Sequence, residues 1–166
     1  MPERSTMRRA RRDKRQGKSA STQAGEFVRE EMHHIRAGKH GARSSKQAIA
    51  IGLSKARRAG VSLAPPKKGT ASTKTRRAAK RELARGKRRH ASASPTRSRA
   101  VTGVLKREGR RSASRSALSR QANSSARKRS AAARSAAARK GARTKGAAGR
   151  SAGARKAART RARQAR

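Results

Sequence analysis

Residues 44–68 read SSKQAIAIGLSKARRAGVSLAPPKK, and this stretch carries both ends of a helix in its own sequence. Ser44 followed three residues later by Gln47 fits a capping box, in which each side chain serves an amide left without a partner at the helix start. At 100° per residue, Ala48, Ile49, Leu53, Ala56 and Ala59 share one face. Gly60 stands where a left-handed residue ends a helix, and Pro65-Pro66 forbids any continuation. The spacing predicts a helix over residues 45–59. Ile51 falls among Lys55 and Arg58 on the opposite side. It marks either a tolerated exposed isoleucine or a second contact, to a third helix or to another copy of the chain.

Working outward, residues 23–36 predict a preceding helix. Thr22 serves as its N-cap, Glu26 lies near the positive end of its dipole and Arg36 near the negative end. Ala24, Phe27, Val28, Met32 and Ile35 lie on one arc, with Arg29, Glu30, His33 and Arg36 on the other. Gly38 ends it, and the connection GKHGARS is short enough to make the two helices antiparallel neighbours. The hairpin core is expected from Phe27, Val28, Met32 and Ile35 packing against Ile49 and Leu53. So small a unit buries little surface, which implies marginal stability, a homodimer through the hairpin, or folding coupled to binding.

The remainder of the chain is poor in material for a core. Its 166 residues hold 50 Lys and Arg against 7 Asp and Glu, a formal charge of +43, and Phe27 is the sole aromatic residue. Such composition cannot bury enough apolar surface to offset chain entropy. The expected fold class is therefore mostly disordered, with a small all-α module. Residues 1–21 read as a disordered basic arm, 22–64 as the helical hairpin and 65–109 as a basic linker. Within that linker, weak helices are expected at 75–85 and at 95–108. The second begins at Ser94-Pro95 and carries the stripe Ala100, Val101, Val104, Leu105. Residues 110–166 form a low-complexity Ala/Arg/Lys/Ser tail that contains SAAAR twice in tandem, at 130–134 and 135–139. A five-residue period carries the arginines round every face of a helix and leaves no apolar stripe, so this tail is expected to be disordered when free.

Charge then decides the partner. An excess of +43 destabilises any compact state unless a polyanion neutralises it, and nucleic acid is the expected polyanion, double-stranded DNA above all. An anionic membrane surface competes, but the tail has no aromatic or leucine face to insert. No run approaches the ~18 apolar residues of a membrane span, and MPERSTMRRARRDKRQGKSA lacks a following apolar stretch, so a cytoplasmic, nucleoid-associated protein is expected.

Lys46, Lys55, Arg57 and Arg58 ring the second helix, and they admit two readings: groove docking in the manner of a recognition helix, or generic solvated charge. In the tail the phosphate-binding residues are expected to be Arg127, Lys128, Arg129 and Arg134, followed by Arg139, Lys140, Arg143 and Lys145. Tyr, Trp and Cys are absent, which removes base stacking and zinc fingers. No nucleophile is paired with a base, and no Gly-rich phosphate loop is present. Neither enzyme activity, a cofactor nor a small-molecule substrate is expected. His33, His34 and His40, with Glu30 and Glu31, match no known closed-site spacing, so no metal is expected either.

EFVREEMHH at residues 26–34, the GKHG loop at 38–41 and KQAIAIGLSKARRAGV at 46–61 together resemble a small bacterial domain of unknown function often labelled plasmid stabilisation protein. The resemblance covers residues 25–69. It implies a bacterial origin and a link to plasmid maintenance, and it carries no catalytic or ligand residue. The tail is similar in composition to histone H1-like bacterial nucleoproteins. The expectation is a non-enzymatic, sequence-independent DNA-binding protein. An RNA- or ribosome-associated basic protein and a protein-interaction module of a plasmid stabilisation system are the alternatives.

Overall fold

Ser19, Ser44, Ser114 and Ser130 each accept a hydrogen bond from the amide three residues ahead, at Thr22, Gln47, Ala117 and Ala133, so helix starts are written along the whole chain. In a computed structural model that describes residues 2–87 and 94–165, the described residues form seven α-helices and one 3-10 turn. They are α1 (Arg4–Arg15), α2 (Ala20–Arg36), α3 (Ser45–Arg58), α4 (Thr73–Lys87), α5 (Pro95–Arg107), the 3-10 turn Arg111–Ala113, α6 (Arg115–Arg127) and α7 (Ala131–Gln164). The chain is thus predominantly helical, and the expectation of a mostly disordered, low-complexity protein is overturned.

Two physical effects make the chain helical where its hydropathy is low. The first is alanine: it supplies 14 of the 34 residues of α7 and is the best helix former. Helix there needs no core, and α7 buries no residue. The second is small-residue packing. The supposed disordered arm is α1, which buries Thr6, Ala10 and Asp13. Those positions are i, i+4 and i+7, a narrow face of small side chains that lies against α2 with Met7 as its single large apolar contact.

The chain divides into two compact units, residues 1–121 and 122–166. In the first, α2 and α3 are antiparallel: Ala24 and Phe27 cluster with Ala56, while Ile35 clusters with Ala48 near the turn. Gly52 makes this crossing close, because a Cβ there would stand 2.7 Å from Val28 Cα. Each of α2 and α3 ends in a Schellman motif. Lys39 and Val61 donate to His34 and Ala56 carbonyls across Gly38 (φ +76°) and Gly60 (φ +88°). Helix α2 starts earlier than expected, at Ala20, with Ser19 rather than Thr22 as its cap. The capping box of α3 is shifted on one arm, since the Gln47 side chain accepts from Arg43 N–H instead of Ser44.

Two core clusters result. One gathers Ala10, Ala24, Phe27, Ala56 and Val61, with Met7 and Leu53 half-buried at its edge. Burying Phe27 fully contributes about 1.5–3 kcal/mol. The other gathers Met32, Ile35, Ala42, Ala48 and Ala113, with Val28, Ile49 and Leu118 half-buried around it. Ala113 and Leu118 thus belong to the folded unit, and the exposed tail starts later than residue 110. Helix α4 packs on α3, giving α3 a third-helix neighbour, and Ile51 is half-buried. Val101 and Val104 of α5 are exposed.

In the second unit, α7 is interrupted at Gly146, whose φ of 65° and ψ of 178° are non-helical. Arg150 Nη1 donates to the Ala142 carbonyl, 2.9 Å away and four residues before that kink. No helix among the described residues is long and apolar enough to cross a membrane.

Candidate nucleic-acid interface

The acidic residues are few, all lie at or before Glu108, and six of the seven carboxylates pair with groups of the fold. Arg9 Nε meets Glu26 at 2.5 Å, tying α1 to α2. Lys18 Nζ meets Asp13 at 2.8 Å at the end of α1. The Glu30 carboxylate accepts from the Glu3 amide at 3.3 Å, where the positive end of α1 begins. Glu82 of α4 accepts from Ser54 Oγ of α3 and lies 3.8 Å from Arg57 Nη1. Glu3 receives His34 Nε2 at 2.8 Å and Lys39 Nζ at 3.4 Å. The His34 hydrogen bond, then Lys39, holds the Glu3 carboxyl down at about 2 from 4.5.

These pairings sort the four cations expected around α3. Lys55 is turned inward, with Nζ 2.5 Å from Glu31. Arg57 is buried, and it donates to the Leu63 carbonyl at 3.3 Å beside Glu82. Lys46 and Arg58 are exposed. With α2 and α4 packed against α3 and two of its four cations engaged within the fold, Lys46 and Arg58 are the two that α3 leaves exposed.

A basic surface that sequence reasoning missed lies on α1. Ser5, Arg8, Arg9, Arg12 and Arg15 line a shallow depression. Arg8, Arg12 and Arg15 recur at i, i+4 and i+7, opposite in register to the buried Thr6, Ala10 and Asp13. That small-residue period was the available signal; read as a disordered arm, the segment hid it.

The tail residues are placed differently. Arg127, Lys128 and Arg129 lie at the end of α6 and the turn before α7, and all are exposed. Arg134, Arg139, Lys140, Arg143 and Lys145 lie on α7 before Gly146 and are exposed as well. Beyond the kink, Arg150 to Arg163 continue the same pattern. No carboxylate side chain shares this unit. Its cations point around the whole circumference of the helix, which suits phosphates approached from several sides.

Residues 11–68 match the model of a family of unknown function (DUF6496), a span running from within α1 through α2 and α3 and short of α4. No curated protein and no solved structure matches the chain.

Proposed function

We propose that this chain is a non-enzymatic, sequence-independent DNA-binding protein, acting in the cytoplasm on the nucleoid. Its exposed Lys and Arg side chains neutralise duplex phosphates, and its folded unit holds a second basic surface on α1. One observation carries this reading: every Lys and Arg from 127 to 163 is exposed, and no carboxylate lies in that stretch. A helix with cations on all sides and no apolar face has little to offer a protein groove or a bilayer interior, whereas phosphate binding needs only charge and reach. Helix in the free protein lowers the ordering cost at binding, since the backbone is set in advance.

The test is a mobility-shift series with a duplex of about 30 base pairs. Each neutralised phosphate contributes a slope of about −0.9 to log K against log salt, so about eight of them lower affinity 1,000- to 100,000-fold between 50 and 200 mM salt. Removing residues 131–166 deletes α7 and leaves both core clusters intact. The slope is then expected to flatten in proportion to the number of phosphates that α7 neutralises. Weak binding at about 50 mM salt, or binding insensitive to salt, refutes the reading. Preference for an RNA of equal length by more than about tenfold replaces DNA with RNA as the ligand.

A further inference from the structure

In a chain so short of acid, three of the seven carboxylates gather at one place with two histidines: Glu3, Glu30 and Glu31 around His34 and His40. Glu31 and His34 stand at i and i+3, on one side of α2. The Schellman turn at Gly38 then reverses the chain and returns His40 onto the same spot. One ligand atom from each of Glu31, His34 and His40 lies within 4.8 Å of the others. We propose that these three side chains form a divalent transition-metal site, and that zinc is the ion it fits.

The carboxylate carries the first argument. Glu31 is fully buried, and its Oε2 is held by Lys55 Nζ at 2.5 Å. Its Oε1 makes no hydrogen bond, although His40 Nε2 stands 3.3 Å away. A buried carboxylate oxygen without a partner is costly. It is aimed at the imidazole, so the missing partner belongs between them.

Proton placement carries the second. His40 Nδ1 lies 3.0 Å from the Gly41 carbonyl, and a carbonyl only accepts, so Nδ1 keeps the proton. In neutral His40 the lone pair is then on Nε2, facing the lone pairs of Glu31 Oε1. A metal ion between the two reconciles them, as would a second proton on His40, and the imidazole nitrogen spectra tell the two apart. His34 donates its Nε2–H to the Glu3 carboxylate at 2.8 Å, which leaves Nδ1 as its nitrogen for an ion. A histidine that donates one ring N–H to a carboxylate or backbone carbonyl and keeps the other nitrogen free is the usual outer-shell pattern of a metal ligand.

The donor set selects the ion, and the spacing allows it. With metal–ligand bonds near 2.1 Å, two ligands of a tetrahedral site stand about 3.4 Å apart, against about 3.0 Å at an octahedral right angle. The Glu31–His40 separation of 3.3 Å is of that order, and the three ligand atoms, all within 4.8 Å of one another, need only a small closure around an ion. Two imidazoles and one carboxylate suit zinc, while magnesium and calcium take oxygen ligands. Three protein ligands leave a fourth position for water. Lys55 opposes a second cation here, and the nearby carboxylates of Glu3 and Glu30 offset it.

The test uses full-length protein freed of nucleic acid by nuclease and high salt, stripped of metal, and titrated with zinc sulfate by calorimetry. One zinc per chain is expected, and cobalt in its place should give the strong visible bands of a tetrahedral site. Glu31→Gln and His40→Gln should each weaken zinc binding at least about tenfold. His33→Gln, altering an exposed neighbour outside the cluster, should leave it unchanged. Absence of one-to-one binding, or equal affinity in the His40→Gln and His33→Gln proteins, overturns the site. Should the variants fail to fold, imidazole nitrogen spectra of the unaltered protein decide. Zinc should shift His34 and His40; if both stay unmoved and His40 is doubly protonated, a proton bridges the pair and the proposal fails.

Discussion

Gly52→Ala tests the packing of the folded unit more sharply than any change to its large side chains. Two effects oppose each other there. Alanine in a helix interior is favoured over glycine by up to about 1 kcal/mol. Against this, the added Cβ would stand 2.7 Å from Val28 Cα and 3.0 Å from both Val28 N and Cγ2. Carbon atoms pack about 3.5–4.0 Å apart, so α2 and α3 must separate by roughly 0.8 Å at their crossing. Two of the obstructing atoms are backbone and cannot rotate away. Overpacking of this kind costs about 1–3 kcal/mol, and the buried Ala48 and Ala56 on the same helix pack less tightly as it moves. The net expectation is destabilisation by about 1–2 kcal/mol, a fall in Tm of roughly 4–8 °C for a unit of this size. Gly25→Ala is the matched control: it lies in α2, is exposed and has nothing within 4 Å of its added Cβ. It should raise stability by about 0.5–1 kcal/mol. Thermal unfolding followed by circular dichroism reads both, taking the cooperative transition above the sloping contribution of α7. A Gly52→Ala protein that melts at or above the unaltered Tm refutes the close crossing.

Ser44→Ala removes the side-chain acceptor 3.2 Å from the Gln47 amide and should cost about 1 kcal/mol, read as a lower urea midpoint; Ser44→Asp should retain most of it. At Gly146, φ is +65° and ψ 178°, a region side chains avoid. Gly146→Ala should therefore let the helix run straight through the kink, with a more negative ellipticity at 222 nm, and an unchanged spectrum counts against that assignment.

The helices written in local chemistry were legible in the residues alone. Ser44 with the Gln47 amide, and Gly38 and Gly60 as left-handed stops, act through hydrogen bonds spanning a few residues, so their spacing suffices to place α3 and the end of α2. The exposed charge of the tail was equally plain, since no acidic residue follows Glu108. Helix α1 was not legible, because it docks through Thr6, Ala10 and Asp13 with one larger apolar side chain, Met7, a face that leaves almost no hydropathy signal. Ala113 was hidden for the same reason.

What the sequence by itself determined, then, was where helices begin and end and how positive the chain is, because capping and charge are local or additive. Only the tertiary structure decided which charges are spent inside. It turned Lys55 and Arg57 toward Glu31 and Glu82 while leaving Lys46 and Arg58 outside. It also set His40 against Glu31. Those pairings depend on where the turn after α2 and the packing of α4 send the backbone, and no spacing along the chain encodes that geometry.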